Sequence, residues 1–211
     1  MLRDHGTMTL REVLQPAIDY ARDGHPMLPR VANTIAGLAD YFAQEWPTSA
    51  AVWTPDGKAP EPHALFKNPD LAATYDRLAD AKGDSREAQI DAARHEWRAG
   101  FVAEAIFDYL KDAHVMDVSE TKHSAVLAPA DLADWRASYE APLSYDYHGW
   151  TVYKTQAWSQ GPVMLQALAI LKGIDLGAMD PNGAEFVHTV IEAMKLAYAD
   201  RETYYGDPDF S

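Results

Sequence analysis

The sequence contains no cysteine. That excludes a disulfide framework, a thiolate zinc site and a thiol nucleophile within these 211 residues. It leaves the compartment open. Positive charge is also scarce: 18 Lys and Arg stand against 32 Asp and Glu, giving a net charge of −14. A chain this acidic is a poor match for phosphate backbones or anionic lipid, so neither nucleic acid nor membrane is expected as a partner. Long apolar runs are missing too. "PVMLQALAIL", at about ten residues, is half of what a membrane-spanning helix needs and fits a buried helix instead. The opening "MLRDHGTMTL" carries no apolar h-region, so no signal peptide is expected in this chain. No glycine-rich phosphate loop is present, which removes support for a nucleotide, and no cofactor is expected.

Apolar residues make up 47% of the chain, enough for a sizeable core. The pattern is mainly helical. "TLRE" places Thr9 three residues before Glu12, the spacing of a capping box. Pro16 is expected to begin a second helical segment that stops at Gly24. Pro29 opens the next helix, with Val31, Ile35, Leu38 and Phe42 along one face, and Pro47 closes it. Four prolines and Gly57 between positions 47 and 62 predict a loop, with one short strand near "AAVWT". Asn68 and Pro69 start a helix running towards Gly83. "SREAQIDAARHEWRAG" and "FVAEAIFDYLKDAHV" follow as helical stretches parted at Gly100. Then the period changes. "LSYDYHGWTVYKT" alternates, with Leu143, Tyr145 and Tyr147 on one side, and reads as a β-hairpin turning at His148-Gly149. "GPVMLQALAILKG" is a buried helix. The longest helix follows in "NGAEFVHTVIEAMKLAYADRETYYG", with Phe186, Val190, Met194 and Ala197 as its stripe and Ile191 and Tyr198 nearby. The sum is about seven helices and two or three strands, too few strands for a self-sufficient sheet. The expected organisation is one partial domain over 1–211, mostly helical over 1–140, with a hairpin plus two helices over 141–211.

No side-chain constellation makes an obvious catalytic centre. The eight histidines, at 5, 25, 63, 95, 114, 123, 148 and 188, include no i, i+4 helical pair, so they read as dispersed rather than metal-ligating. Asp200, Glu202, Asp207 and Asp209 lack calcium-loop spacing; they read as a helix end and a "GDPD" turn. In "WSQGP", Ser159 stands beside Gly161 but outside any G-x-S-x-G elbow. It reads as a strand-to-helix connection with Ser159 or Gln160 near the cap. The six tryptophans are dispersed and read as packing. No catalytic residue and no metal ligand is assigned, and substrate-binding residues stay open.

Four blocks in this order carry a resemblance: "HGTMTLREVLQPAIDYARDGHPM" (5–27), "LAPADLADWRASYEAPLSYDYHGWTVY" (127–153), "GPVMLQALAIL" (161–171) and "HTVIEAMKLAYADRETYYGDPDF" (188–210). Together they resemble the large subunit of the gamma-glutamyltransferase (gamma-glutamyl transpeptidase) family. The chain departs from that family's pattern at Thr155–Pro162, where a Pro-Pro-Ser-Ser-Gly-Gly type string is usual. The resemblance implies an α+β fold: a mainly helical part of an N-terminal-nucleophile (αββα) hydrolase, its hairpin contributing to an incomplete sheet. It implies transfer or hydrolysis of γ-glutamyl amides such as glutathione by a Thr freed by autocleavage. That Thr, and the arginine that takes the substrate carboxylate, match no position here. The implied partners are therefore the remainder of the large subunit and the Thr-led small subunit, with a γ-glutamyl small molecule as substrate. A periplasmic or extracellular setting is implied as well. Two alternatives stay open: a cephalosporin- or glutaryl-type acylase, and a non-catalytic helical scaffold.

Overall fold

The computed structural model describes residues 1–207 and divides into two compact units, Met1–Arg136 and Ala137–Ser211. Among the described residues there are ten α-helices, one 3₁₀ turn and six short strands paired two by two. The expected excess of helix over strand is present, although both kinds of element are more numerous than the sequence pattern predicts.

The first unit opens with α1 (Leu2–His5) and α2 (Leu10–Asp23). Thr9 caps α2: its side chain accepts the Glu12 amide, and Glu12 Oε2 accepts the Thr9 amide at 2.8 Å, which completes the capping box. Gly24 ends the helix at φ 104°, where a side chain would be strained. Pro16 does not divide this helix. It leaves the Glu12 carbonyl without its helical donor, but Glu12 and Pro16 both lie on the exposed face, where water can take that role.

Next come β1 (His25–Pro26), α3 (Pro29–Glu45), α4 (Pro47–Trp53) and β2 (Leu65–Phe66), which pairs with β1. The "AAVWT" stretch is thus helical rather than a strand. Pro47 sits at the first helical position, where its missing N–H costs nothing, and two alanines follow. The buried stripe of α3 is Ala32, Ile35 and Phe42, whereas Val31 and Leu38 are exposed. Ile35 and Phe42 are buried as expected, while Ala32 replaces Val31 in the cluster that Met27, arriving from β1, joins. Trp53 stacks on Phe66 at 4.9 Å and Phe42 on Trp46 at 5.8 Å, closing this cluster.

α5 (Pro69–Ala79) begins with Asn68 Oδ1 accepting the Leu71 amide at 3.0 Å, and packs on α2. Its end falls short of Gly83. That glycine instead passes so close to α6 (Arg86–Arg98) that a Cβ would stand 2.5 Å from backbone atoms of Ala88 and Gln89. α7 (Phe101–Leu110) follows the break at Gly100, as expected. β3 (His114–Met116) and β4 (Lys122–Ser124) form a hairpin that the sequence pattern does not announce, and α8 (Pro129–Asp134) ends the unit. Trp46 Nε1 donates to Met116 O at 2.9 Å, fixing the hairpin to the end of α3. Lys122 Nζ stands 2.9 Å from Glu45 Oε2, an ion contact off the hydrogen-bonding direction, and that buried oxygen has no other partner.

The second unit contains β5 (Leu143–Tyr147), β6 (Trp150–Lys154), α9 (Gly161–Leu171), a 3₁₀ turn at Leu176–Ala178 and α10 (Ala184–Tyr204). The hairpin turn is His148-Gly149, both with positive φ (47° and 88°), between the paired Tyr147 and Trp150. Two such residues match the twist of the strands they join. Leu143, Tyr145 and Tyr147 do share the less exposed face. α9 packs against this hairpin and against α10, where Ala193 and Ala197 are buried. α10 continues past Asp200 and Arg201 to Tyr204. The turn expected at "GDPD" falls on Pro208 and Asp209 as well, which lie outside the described residues.

Candidate functional site

The connection from β6 to α9, Thr155 to Pro162, gathers hydroxyl and backbone groups around a close backbone approach at Gly161. Thr155 Oγ1 and Ser159 Oγ are hydrogen-bonded. Ser159 Oγ also accepts the Gly161 amide at 3.0 Å and donates to Gln156 O at 3.2 Å. With Thr155 as donor to Ser159, that hydroxyl has its one proton and both lone pairs in use. Gly161 is required here, since a Cβ would stand 2.5 Å from Thr155 O. Gln160 is the residue before the helix and gives no side-chain cap; Ser159 supplies the bond. On the outer side, Gln156 Nε2 donates to Ala141 O at 2.6 Å and Trp158 Nε1 to Glu140 Oε2 at 2.7 Å.

Among the described residues, no histidine, lysine or carboxylate is a hydrogen-bond partner of Ser159. A serine without a base is a weak nucleophile.

α9 and the end of α10 share a half-buried polar link. Gln166 Nε2 donates to Asp200 Oδ2, and Tyr205 Oη donates to Gln166 Oε1 at 2.9 Å. Burial first, and the Asp200 charge second, push the Tyr205 hydroxyl above its ordinary pKa.

A second constellation went unread in the sequence. Asp117, Ser119, Thr121 and His123 converge at the β3–β4 turn. Ser119 Oγ donates to Asp117 Oδ1 at 2.6 Å, and Thr121 Oγ1 and Ser119 Oγ lie 2.6 and 3.1 Å from His123 Nε2. The residue types invite comparison with a catalytic triad, but the wiring is different. A triad has the hydroxyl and the carboxylate on opposite ring nitrogens. Here Asp117 Oδ2 approaches the same Nε2, at 3.8 Å. The serine bonds hold Asp117 below the usual carboxylate range, and the cluster is an exposed turn.

Among the described residues, no group of three or more His, Asp or Glu is placed to hold a metal ion, and no helix is long and apolar enough to cross a membrane. The eight histidines stay dispersed. Of the C-terminal acidic set, Asp200 bonds Gln166 and Glu202 pairs with Arg201, while Asp209 lies outside the described residues.

The family model for gamma-glutamyltranspeptidase matches residues 1–211, the full chain. The chain belongs to the gamma-glutamyltranspeptidase family. The blocks that carried the resemblance in the sequence thus identify the family, one of N-terminal-nucleophile hydrolases. The glutathione hydrolase proenzyme of Escherichia coli is 29% identical over 99% of this chain and 33% of its own length. The acylase ACY 1 proenzyme of Pseudomonas sp. (strain SE83) is 30% identical over 97% of this chain and 33% of its own. Among solved structures, LmbA2991HD is 48% identical and superposes with a TM-score of 0.91, covering 98% of this chain and 35% of that one. The gamma-glutamyltranspeptidase of Helicobacter pylori superposes at 0.82 with 25% identity, over 100% of this chain and 55% of that one. The chain thus spans about a third of the length of the curated relatives it matches, and its fold is a mainly helical portion of gamma-glutamyltranspeptidase structures with small hairpins.

Proposed function

We propose that these residues are the helical buttress of an enzyme that transfers or hydrolyses γ-glutamyl amides such as glutathione, through an N-terminal Thr that lies outside the chain. The observation that carries this reading is the match of a gamma-glutamyltranspeptidase model along all 211 residues, in a chain whose candidate hydroxyl, Ser159, has no base. The chemistry needs a nucleophile with its own base, and a Thr bearing a free α-amine supplies both in one residue. Among the described residues, no hydrogen-bond partner of Ser159 does so. In this reading the chain is one partial domain of the αββα architecture, and β5 and β6 extend a sheet completed by the rest of the enzyme. The Thr155–Pro162 turn fixes the start of α9 against that sheet.

A second reading is an acylase acting on a cephalosporin- or glutaryl-type amide. It is favoured by the turn itself: where the family usually has Pro-Pro-Ser-Ser-Gly-Gly, this chain has Trp158 bonded to Glu140 and Pro162 after Gly161. The two readings separate in one assay. The chain alone is expected to release no p-nitroaniline from γ-glutamyl-p-nitroanilide, and assembly with a Thr-led partner is expected to restore release. Turnover by the isolated chain would show that the nucleophile has been misplaced. An assembled enzyme that ignores the γ-glutamyl anilide and cleaves a glutaryl amide would establish the acylase.

A further inference from the structure

The three asparagines of the chain stand in three different chemical settings. Asn33 lies inside α3, and the β-branched Thr34 follows it in the helical ladder. Asn68 caps α5, its Oδ1 accepting the Leu71 amide at 3.0 Å, and Pro69 follows it with no N–H to give up. Asn182 is exposed, lies in the turn before α10 and is followed by Gly183. The main chain around it is folded back on Asp180: the Asn182 amide donates to Asp180 Oδ1 at 3.0 Å and the Gly183 amide to Asp180 O at 2.8 Å. Among the described residues, no hydrogen bond holds the Asn182 carboxamide.

We propose that Asn182–Gly183 is a site of spontaneous deamidation, at which the protein ages to a mixture of aspartate and isoaspartate. The Gly183 nitrogen gives its proton to solvent and attacks Asn182 Cγ. The new N–C bond closes a succinimide ring, and the carboxamide C–N bond breaks to release ammonia. Water then opens the ring. Addition at Cγ breaks the new bond and leaves aspartate. Addition at the Asn182 main-chain carbonyl breaks the original peptide bond and leaves isoaspartate, with the chain running through Cβ. The sum is one water consumed and one ammonia released. Gly183 permits the attack because it has no side chain to crowd the nitrogen. The Gly183 amide must first leave Asp180 O, and an exposed turn at a helix end is where such opening costs least. The product stands beside the Gly183 cap of α10, whose carbonyl accepts the Val187 amide at 3.2 Å. Aspartate puts a negative charge near the positive end of the helix and leaves it intact. Isoaspartate adds a methylene to the main chain, displaces the cap and loosens the first turn of α10. The proposal is independent of which amide the enzyme cleaves.

The test is incubation of the 211-residue chain at neutral pH and physiological temperature, followed by tryptic digestion and mass spectrometry at intervals. Trypsin releases residues 173–195 as one peptide, between Lys172 and Lys195, in which Asn182 is the only side-chain amide. Replacing that amide by a carboxyl raises the peptide mass, whereas isomerisation at Asp23–Gly24 or Asp56–Gly57 leaves mass unchanged. Asn182 is expected to convert roughly tenfold faster or more than Asn33, and Asn68 to stay intact. Gly183→Ala is expected to slow conversion roughly tenfold. A Cβ there would stand 3.1 Å from Asp180 O, so circular dichroism checks that this variant is folded. Asn182→Gln, at an exposed position, is expected to suppress conversion without touching the fold. In aged protein, amide hydrogen exchange over 184–187 is expected to quicken in the isoaspartyl fraction and not in the aspartyl one. A 173–195 peptide that keeps its mass, conversion no faster than at Asn33, or a rate indifferent to both variants would each overturn the proposal.

Discussion

Tyr205 gives its hydroxyl proton to Gln166 Oε1 at 2.9 Å, tying the residue just past α10 to the middle of α9. Gln166 is committed at both ends, because its amide donates to Asp200. Tyr205→Phe is expected to lower stability by about 1 kcal/mol, the net worth of one such bond. The pH dependence has a definite sign. Burial and Asp200 raise the Tyr205 pKa above its ordinary value of 10.0, so the neutral hydroxyl is the form the fold favours. Its contribution is fully present below pH 10 and is lost as pH rises through the raised value. Thermal melts from pH 8 to 11 will show a steeper alkaline loss in the parent than in the Phe variant. Equal slopes would sink the assignment.

Acid acts on the first unit through Asp76. Its carboxylate lies 2.5 Å from Arg11 Nη1 and 2.6 Å from Arg22 Nη2, joining α5 to both ends of α2. The Arg11 hydrogen bond, followed by Arg22, holds Asp76 below the ordinary carboxylate value of 3.8. A depressed folded pKa contributes stability above the unfolded value and loses it as pH falls through the folded one. The melting temperature of the parent is therefore expected to fall as pH drops below about 4, and Asp76→Asn to flatten that fall while lowering stability at pH 7. A variant with the full acid sensitivity of the parent would assign it to other carboxylates.

Gly83 tests backbone proximity. A Cβ there would meet backbone atoms of Ala88 and Gln89 at 2.5 Å, and backbone cannot rotate away as a side chain can. Gly83→Ala is expected to cost about 1–3 kcal/mol by displacing α6 from the α5 connection. Gly37→Ala, on α3 with open space around its Cβ, is the matched control and is expected to be neutral or slightly stabilising. Urea melts of the two variants decide it.

The local rules were legible where one residue decides one bond. Thr9 with Glu12, Asn68 before Pro69, Gly24 after α2 and His148-Gly149 between β5 and β6 all act within four residues of themselves. What could not be read depends on partners distant in the chain. Pro16 stays inside α2 because the Glu12 carbonyl that it leaves without a donor lies on the exposed face. β3 and β4 are three residues each, too short to announce themselves by alternation, and are held by Trp46 some 70 residues away. The Asp117–His123 cluster is short-range, but residue type alone suggests a triad, and only the choice of ring nitrogen excludes it. The α10 stripe expected from the sequence, Phe186, Val190, Met194 and Ala197, is only partly right: Ala197 is buried, but Met194 is 42% exposed and Ala193 is buried instead, because only the structure shows which side of the helix packs on α9.

Ser159 offers the sharpest test of where the chemistry resides. Its hydroxyl holds the Gly161 amide and the Gln156 carbonyl, and Thr155 completes its shell, so its role is to shape the start of α9. Losing a nucleophile costs on the order of 10⁴ or more in kcat. Losing a turn hydroxyl costs about 1 kcal/mol of stability and leaves the reacting atoms in place. In the assembled enzyme, Ser159→Ala is therefore expected to keep its rate of anilide release within about threefold of the parent, with a modestly lower melting temperature. Mass spectrometry after a single turnover with a slow acyl donor should find the acyl group on the Thr-led partner and none on this chain. If kcat falls by four orders of magnitude while the variant remains folded, or the acyl mass appears on the peptide containing Ser159, the nucleophile belongs to this turn and the buttress reading fails.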